Sequence, residues 1–174
     1  MKFNNRIKIF VAVILSSIII FGCSYSFTGA SIPPHLSSIA IPLFDDRSGS
    51  GEPNLREDFT NELITKFIDD NSLQIRERTE ADAILESTVL SISDAPSSVG
   101  AQDGIENVDS RRVTITVKVI YRDFIKKTTI FEQNFSNYGD YVNEGDITTN
   151  RNGAIQEAID KITEDILLAV VSNW

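Results

Sequence analysis

Arg111-Arg-Val-Thr-Ile-Thr-Val-Lys-Val-Ile-Tyr-Arg122 is the stretch on which the fold turns. Val113, Ile115, Val117, Val119 and Tyr121 recur at every second position, and Arg112, Thr114, Thr116, Lys118 and Arg122 fill places between them. Side chains alternate across a strand, so this pattern describes a strand with one apolar and one wet face. A sheet that is wet on one side must be covered on the other. Asp123-Phe-Ile-Lys-Lys127 then reads as a hairpin connection, and Thr128 to Phe135 as the strand that returns antiparallel.

The cover comes from two helical patterns. Leu55, Phe59, Leu63 and Phe67 recur every four residues, with Ile64 and Ile68 widening the stripe. Asn54 and Glu57 have the spacing of a capping box, Glu62 and Lys66 form an i,i+4 pair, and the helix should end near Asp69-Asp70-Asn71. A closing helix from about Asn150 to Ser172 carries Ile155, Ile159, Ile162, Ile166 and Val170 on one face. In Ser38-Ile-Ala-Ile-Pro-Leu-Phe44 the residues Ile39, Ile41 and Leu43 alternate as in a strand, and Pro42 implies an edge or a bulge. Asp45 to Gly51 is turn-rich. Ser72 to Arg78 is a short strand, and Ala83 to Ser93 a longer one with Leu85, Val89 and Ile92 inward. Asp94 to Ser110 and residues 136–147 read as polar loops. The expected fold is an α+β two-layer sandwich, with two helices on one face of a mostly antiparallel, four- to five-stranded sheet.

The chain begins with a segment of another kind. Lys2, Arg6 and Lys8 precede the 13-residue apolar run Ile9–Phe21, too short to span a bilayer, and Gly22 supplies a small residue at a cleavage point. Residues 1–22 therefore read as a signal peptide. Cys23, the only cysteine, follows directly, and Ile20-Phe21-Gly22-Cys23 resembles a bacterial lipobox. That resemblance makes Cys23 the lipid-attachment residue, carrying a diacylglycerol and an amide-linked acyl chain such as palmitate; two or more chains anchor stably. Ser24 follows where an inner-membrane retention signal would have Asp, so the expected location is the periplasmic side of the cell outer membrane. Residues 23–36 form the lipidated N-terminus and linker, and residues 37–174 a single periplasmic domain.

Charge narrows the function. The 174 residues hold 16 Lys+Arg and 25 Asp+Glu, and loss of the leader's three cations leaves 13 against 25. A net −12 argues against nucleic acid as a partner. One Cys excludes an internal disulfide. One His, with no phosphate loop, dinucleotide fingerprint or nucleophile elbow, offers little for catalysis, so no catalytic residue, metal ligand or cofactor is assigned. Asp45-Asp46 and Asp69-Asp70 sit where turns and helix ends keep solvated carboxylates, His35 lies in the linker, and Trp174 is expected to cap the last helix. One constellation stands out. Arg111, Arg112, Lys118, Arg122, Lys126 and Lys127 lie in 17 residues with one acid, Asp123. Alternation puts Arg112, Lys118 and Arg122 on one face, where they suit a phosphorylated ligand or simply keep a wet strand soluble.

Three stretches resemble the lipopolysaccharide-assembly lipoprotein family (LptE type) in its Bacteroidetes and Chlorobi form: Gly22-Cys-Ser-Tyr-Ser-Phe-Thr-Gly-Ala-Ser-Ile-Pro-Pro-His35, Ile39-Ala-Ile-Pro-Leu-Phe44 and Ala81-Asp-Ala-Ile-Leu-Glu86. The resemblance implies a non-enzymatic lipoprotein that assists assembly of, and plugs, the lipopolysaccharide-transport β-barrel (LptD-like). Its implied partners are that barrel, lipopolysaccharide and outer-membrane lipids. Arg112, Lys118 and Arg122, chosen by alternation alone, are the candidate lipopolysaccharide-binding residues. The Ala-Asp-x-x-Leu-Glu pattern also occurs in lipoproteins that activate peptidoglycan synthases or build secretion pores, the alternative reading.

Overall fold

The computed structural model describes residues 32–102 and 105–172. Cys23, the leader and Trp174 lie outside the described residues. The elements are β1 (Ser38–Ala40), β2 (Asp45–Asp46), α1 (Leu55–Asp70), β3 (Gln74–Ile75), β4 (Ala83–Gln102), β5 (Ile105–Asp123), β6 (Thr128–Val142) and α2 (Ile147–Val171). They form the α+β sandwich expected, on a mixed sheet of six strands in the order β3-β1-β4-β5-β6, with β2 paired to β4. β1, β2 and β3 run parallel to their neighbours, whereas β4, β5 and β6 are antiparallel.

β5 is bonded on both sides. Val117 pairs with Val89 of β4 and with Phe135 of β6, and Tyr121 pairs with Leu85 and Phe131. Val113, Ile115, Val117, Val119 and Tyr121 are all buried in one core with the apolar faces of both helices. Burying one such aliphatic side chain contributes about 1.5–3 kcal/mol, so this face alone supplies on the order of 10 kcal/mol. α2 lies across β5 and β6, and α1 packs beside α2. Polar ties join the helices: Lys66 Nζ to Asp160 at 2.6 Å and to Glu164 at 3.3 Å, and Gln156 Nε2 to Asp58 at 3.0 Å.

Several local expectations are corrected. The strand read over 38–44 breaks after Ala40, because Pro42 has no N–H to donate, and the chain rejoins β4 as β2. β1 is internal, not an edge. Phe44 rather than Leu43 enters the core: it stacks on Phe59 at 5.1 Å, its N–H donates to Thr60 Oγ1 and its carbonyl accepts from Arg56 Nε. Leu43 is 48% exposed. The capping box does not form, since Asn54 is left-handed (φ 58°) and its side chain makes no cap bond. Ile68 does not widen the stripe; it is 61% exposed. Lys66 stands 3.9 Å from Glu62 and closer to Asp160 and Glu164 of α2. Only Gln74–Ile75 of the 72–78 strand pairs.

The two expected loops are largely strand. β4 and β5 extend as a two-stranded ribbon that pairs Gln102 with Ile105, and β6 continues through Val142. A backbone ladder needs no apolar period, so composition alone conceals these extensions. The Asp146 carboxylate caps α2 by accepting from the Thr149 N–H at 3.2 Å, so the helix begins at Ile147, about three residues before the expected start. Ile32 packs on the core and Leu36 is buried, so residues 32–36 of the expected linker belong to the domain.

β6 and α2 approach closely at Gly139. A Cβ there would lie 2.1 Å from the Ala154 carbonyl oxygen, whereas one at Gly153, one residue earlier on α2, meets nothing within 4 Å. Gly139→Ala should lower stability by about 1–3 kcal/mol through overpacking. Gly153→Ala should raise it by up to about 1 kcal/mol through helix propensity. Urea unfolding of both variants checks the pair of opposite signs.

Candidate functional site

The outer face of β5 presents Arg112, Lys118 and Arg122 in one row, as alternation requires, but each cation has a carboxylate beside it. Arg112 grips Asp140 of β6 with two bonds, Nε–Oδ1 2.7 Å and Nη2–Oδ2 2.8 Å, and its guanidinium lies 3.6 Å from the centre of the Tyr138 ring. The Asp140 bond raises the Arg112 pKa and lowers that of Asp140. Lys118 Nζ stands 2.5 Å from Glu132 of β6, whose pKa it lowers. Arg122 Nη1 donates to Glu86 of β4 at 2.6 Å, with Arg78 3.4 Å from the other oxygen.

This row is therefore a stripe of matched charges. At about 3.3 Å per residue the cations stand roughly 20 and 13 Å apart, so no two can grip one phosphate. Each remains partly open to solvent, and Thr114, Thr116 and Ser136 lie among them. The stripe offers separate, exchangeable contacts to an extended anionic ligand or to a polar protein wall. It does not form a pocket.

Two clusters escaped the sequence reading. His35 is not in a free linker: its Nε2 lies 2.6 Å from Asp123 Oδ2, and Asp123 Oδ1 accepts the Lys126 N–H at 2.8 Å. One buried carboxylate thus holds both the incoming chain and the β5–β6 turn. Burial pushes the Asp123 pKa up, but the bonds from His35 and Lys126 outweigh it and the net shift is downward. At the other end, Asp94 accepts from Arg111 Nε at 2.8 Å, Tyr141 Oη at 2.9 Å and Arg151 Nε at 3.1 Å, and Arg151 also pairs with Glu52. This knot joins β4, β5, β6, α2 and the loop before α1. No signal in one sequence marks partners 88 or 57 residues apart.

Among the described residues no three His, Cys, Asp or Glu side chains converge as metal ligands, and no helix is long and apolar enough to cross a membrane. The acid pairs lie in ordinary settings, Asp45 beside Arg47 and Asp46 bonded to Ser48.

A family model described as lipopolysaccharide-assembly (LptE) matches residues 36–170. The chain belongs to the LptE family. Its role class is therefore lipopolysaccharide assembly. The fold is shared with solved structures at low identity. A hypothetical protein from Chlamydia trachomatis has a TM-score of 0.59 at 11% identity, covering 78% of this chain and 95% of that one. A protein from Xanthomonas campestris gives 0.56 at 10%, over 81% and 90%. A minor lipoprotein from Acinetobacter baumannii gives 0.51 at 11%, over 78% and 92%. These likenesses concern the fold alone. Comparison with curated proteins found no match.

The Asp94 knot makes a pH prediction. Burial raises the Asp94 pKa, but the bonds from Tyr141, Arg111 and Arg151 outweigh it and the net shift is downward. A depressed folded pKa stabilises above the unfolded value, about 3.9, and that contribution is lost as pH falls through the folded one. Asp94→Asn should be less stable at neutral pH, yet lose less stability than the parent between about pH 5 and 2. Urea midpoints across that range check it.

Proposed function

We propose that this LptE-family chain is a non-enzymatic lipoprotein of the outer membrane. Acyl chains on Cys23 hold it on the periplasmic side, and it assists assembly of and plugs an LptD-like lipopolysaccharide-transport barrel, contributing to lipopolysaccharide insertion. The family match over residues 36–170 carries the reading, and the lipobox-like Ile20-Phe21-Gly22-Cys23 supports the anchor. The uncovered face of β4, β5 and β6 supports a partner on that side: hydroxyls and matched charges suit a polar barrel wall and discourage edge-on aggregation.

On this reading Arg112, Lys118 and Arg122 meet lipopolysaccharide phosphates by exchanging carboxylate for phosphate. The exchange is inexpensive because the pairs are half-exposed and individually weak. It gives the site a sign that a solubility role lacks. Replacing the three cations by Ser should weaken lipopolysaccharide binding by roughly fivefold per cation. Glu86→Gln, Glu132→Gln and Asp140→Asn together should strengthen it. Equal binding by both variants and the parent would return the row to solubility. Affinity purification of the tagged chain from detergent-solubilised envelopes tests the larger claim and should recover a large β-barrel protein. Recovery of a peptidoglycan synthase instead, or of a ring of this chain alone, would contradict it.

A further inference from the structure

The turn between β5 and β6 has a composition unlike the rest of this acidic protein. From Phe124 to Ile130 the chain reads Phe-Ile-Lys-Lys-Thr-Thr-Ile, without an acid, and residues 125–130 are all exposed. Ile125 is 53% and Ile130 36% exposed. Among the described residues outside this turn, every lysine and arginine is paired with a carboxylate except Arg56, which donates to the Phe44 carbonyl, and Arg76, which donates to Gln74; no ion pair involves Lys126 or Lys127. Beside the turn lies an open groove of about 410 Å³ lined by Arg122, Asp123, Phe124, Lys127, Thr128 and Thr129, in which the Asp123 carboxylate is already engaged by His35 and the Lys126 N–H.

The position of this turn is as informative as its chemistry. Asp123 ties it directly to His35, so the chain coming from Cys23 reaches the domain at this end. The nine Cα–Cα steps between Cys23 and Ile32 can extend at most roughly 30 Å. An acylated Cys23 would hold this end, and not the β4–β5 ribbon at the opposite end, within reach of a leaflet. Two unpaired lysines flanked by exposed isoleucines are complementary to an anionic lipid surface: the cations attract the headgroups and the apolar side chains enter the interface.

We propose that in the anchored chain, before it meets a barrel, the Phe124–Ile130 turn docks on an anionic phospholipid leaflet, with Lys126 and Lys127 on the headgroups and Ile125 at the interface. The proposal rests on the anchor reading, and the test separates the two. Purified mature protein is reconstituted on vesicles of phosphatidylcholine alone and of equal parts phosphatidylcholine and phosphatidylglycerol, and backbone hydrogen exchange is followed by mass spectrometry.

Exchange over 124–130 should be slower on the phosphatidylglycerol vesicles, and the slowing should disappear at high salt. Lys126→Ser with Lys127→Ser should shift the docked fraction roughly 30-fold toward the undocked and restore the phosphatidylcholine rate. Ile125→Ser should act in the same direction, while Arg47→Ser, an exposed cation outside both the turn and the outer row, should leave the slowing intact. Exchange over 113–121, read in the same run, shows that each variant is folded. Identical rates on both vesicles, slowing that survives the double variant, or equal slowing by inorganic phosphate alone would overturn the proposal. A chain that floats with neither vesicle would instead count against the anchor.

Discussion

The structure depends on β5 being bonded along both edges while only one of its faces is apolar. Two ladders give the strand no freedom to rotate, so Val113, Ile115, Val117, Val119 and Tyr121 must all face one way. Everything that can bury them, both helices and the inward residues of β4 and β6, is gathered on that side. The opposite face is left to side chains that tolerate water. Its ion pairs follow from the same register, which sets Arg112 opposite Asp140 and Arg122 opposite a β4 strand carrying Glu86. Burial on one side thus determines the chemistry of the other.

The parts that were legible in the sequence are those with an apolar period. The β5 alternation, the Leu55–Phe67 stripe and the Ile155–Val170 stripe all stand where periodicity puts them, because burial is the term that periodicity reports. The ends of elements were not legible. Asn54 occupies the cap position but adopts left-handed backbone, which the Asn/Glu spacing cannot reveal. The ribbon beyond Asp94 and the second half of β6 are held by backbone bonding, to which side-chain pattern is nearly blind. The candidate site was legible in its residues and illegible in its electrostatics. Arg112, Lys118 and Arg122 lie on one face as read, yet the acids that match them come from neighbouring strands, so a count over 17 consecutive residues overstated the local positive charge.

Charge is organised at two scales. The domain carries a large excess of acid, whose overall field favours solubility and opposes anionic surfaces except where cations are locally concentrated. Within that field the outer stripe is balanced pair by pair, the Asp94 knot is closed inside the fold, and the 124–130 turn keeps unmatched lysines where the chain from Cys23 arrives. Asp123 links that turn to His35 through one carboxylate, so the two features occupy one end of the sandwich by construction. The proposed anchor would add a tethered end to the open polar face and helix-covered back of this LptE-family fold.

The open face is the centre of this account, and Thr116 lies in its middle, hydroxyl to hydroxyl with Ser136 at 3.1 Å. A photoreactive amino acid placed at position 116 of the anchored chain in living cells tests it most directly. The account predicts an ultraviolet-dependent adduct containing a large outer-membrane β-barrel protein. An adduct only with soluble periplasmic proteins, or none while the chain is present and folded, would contradict it.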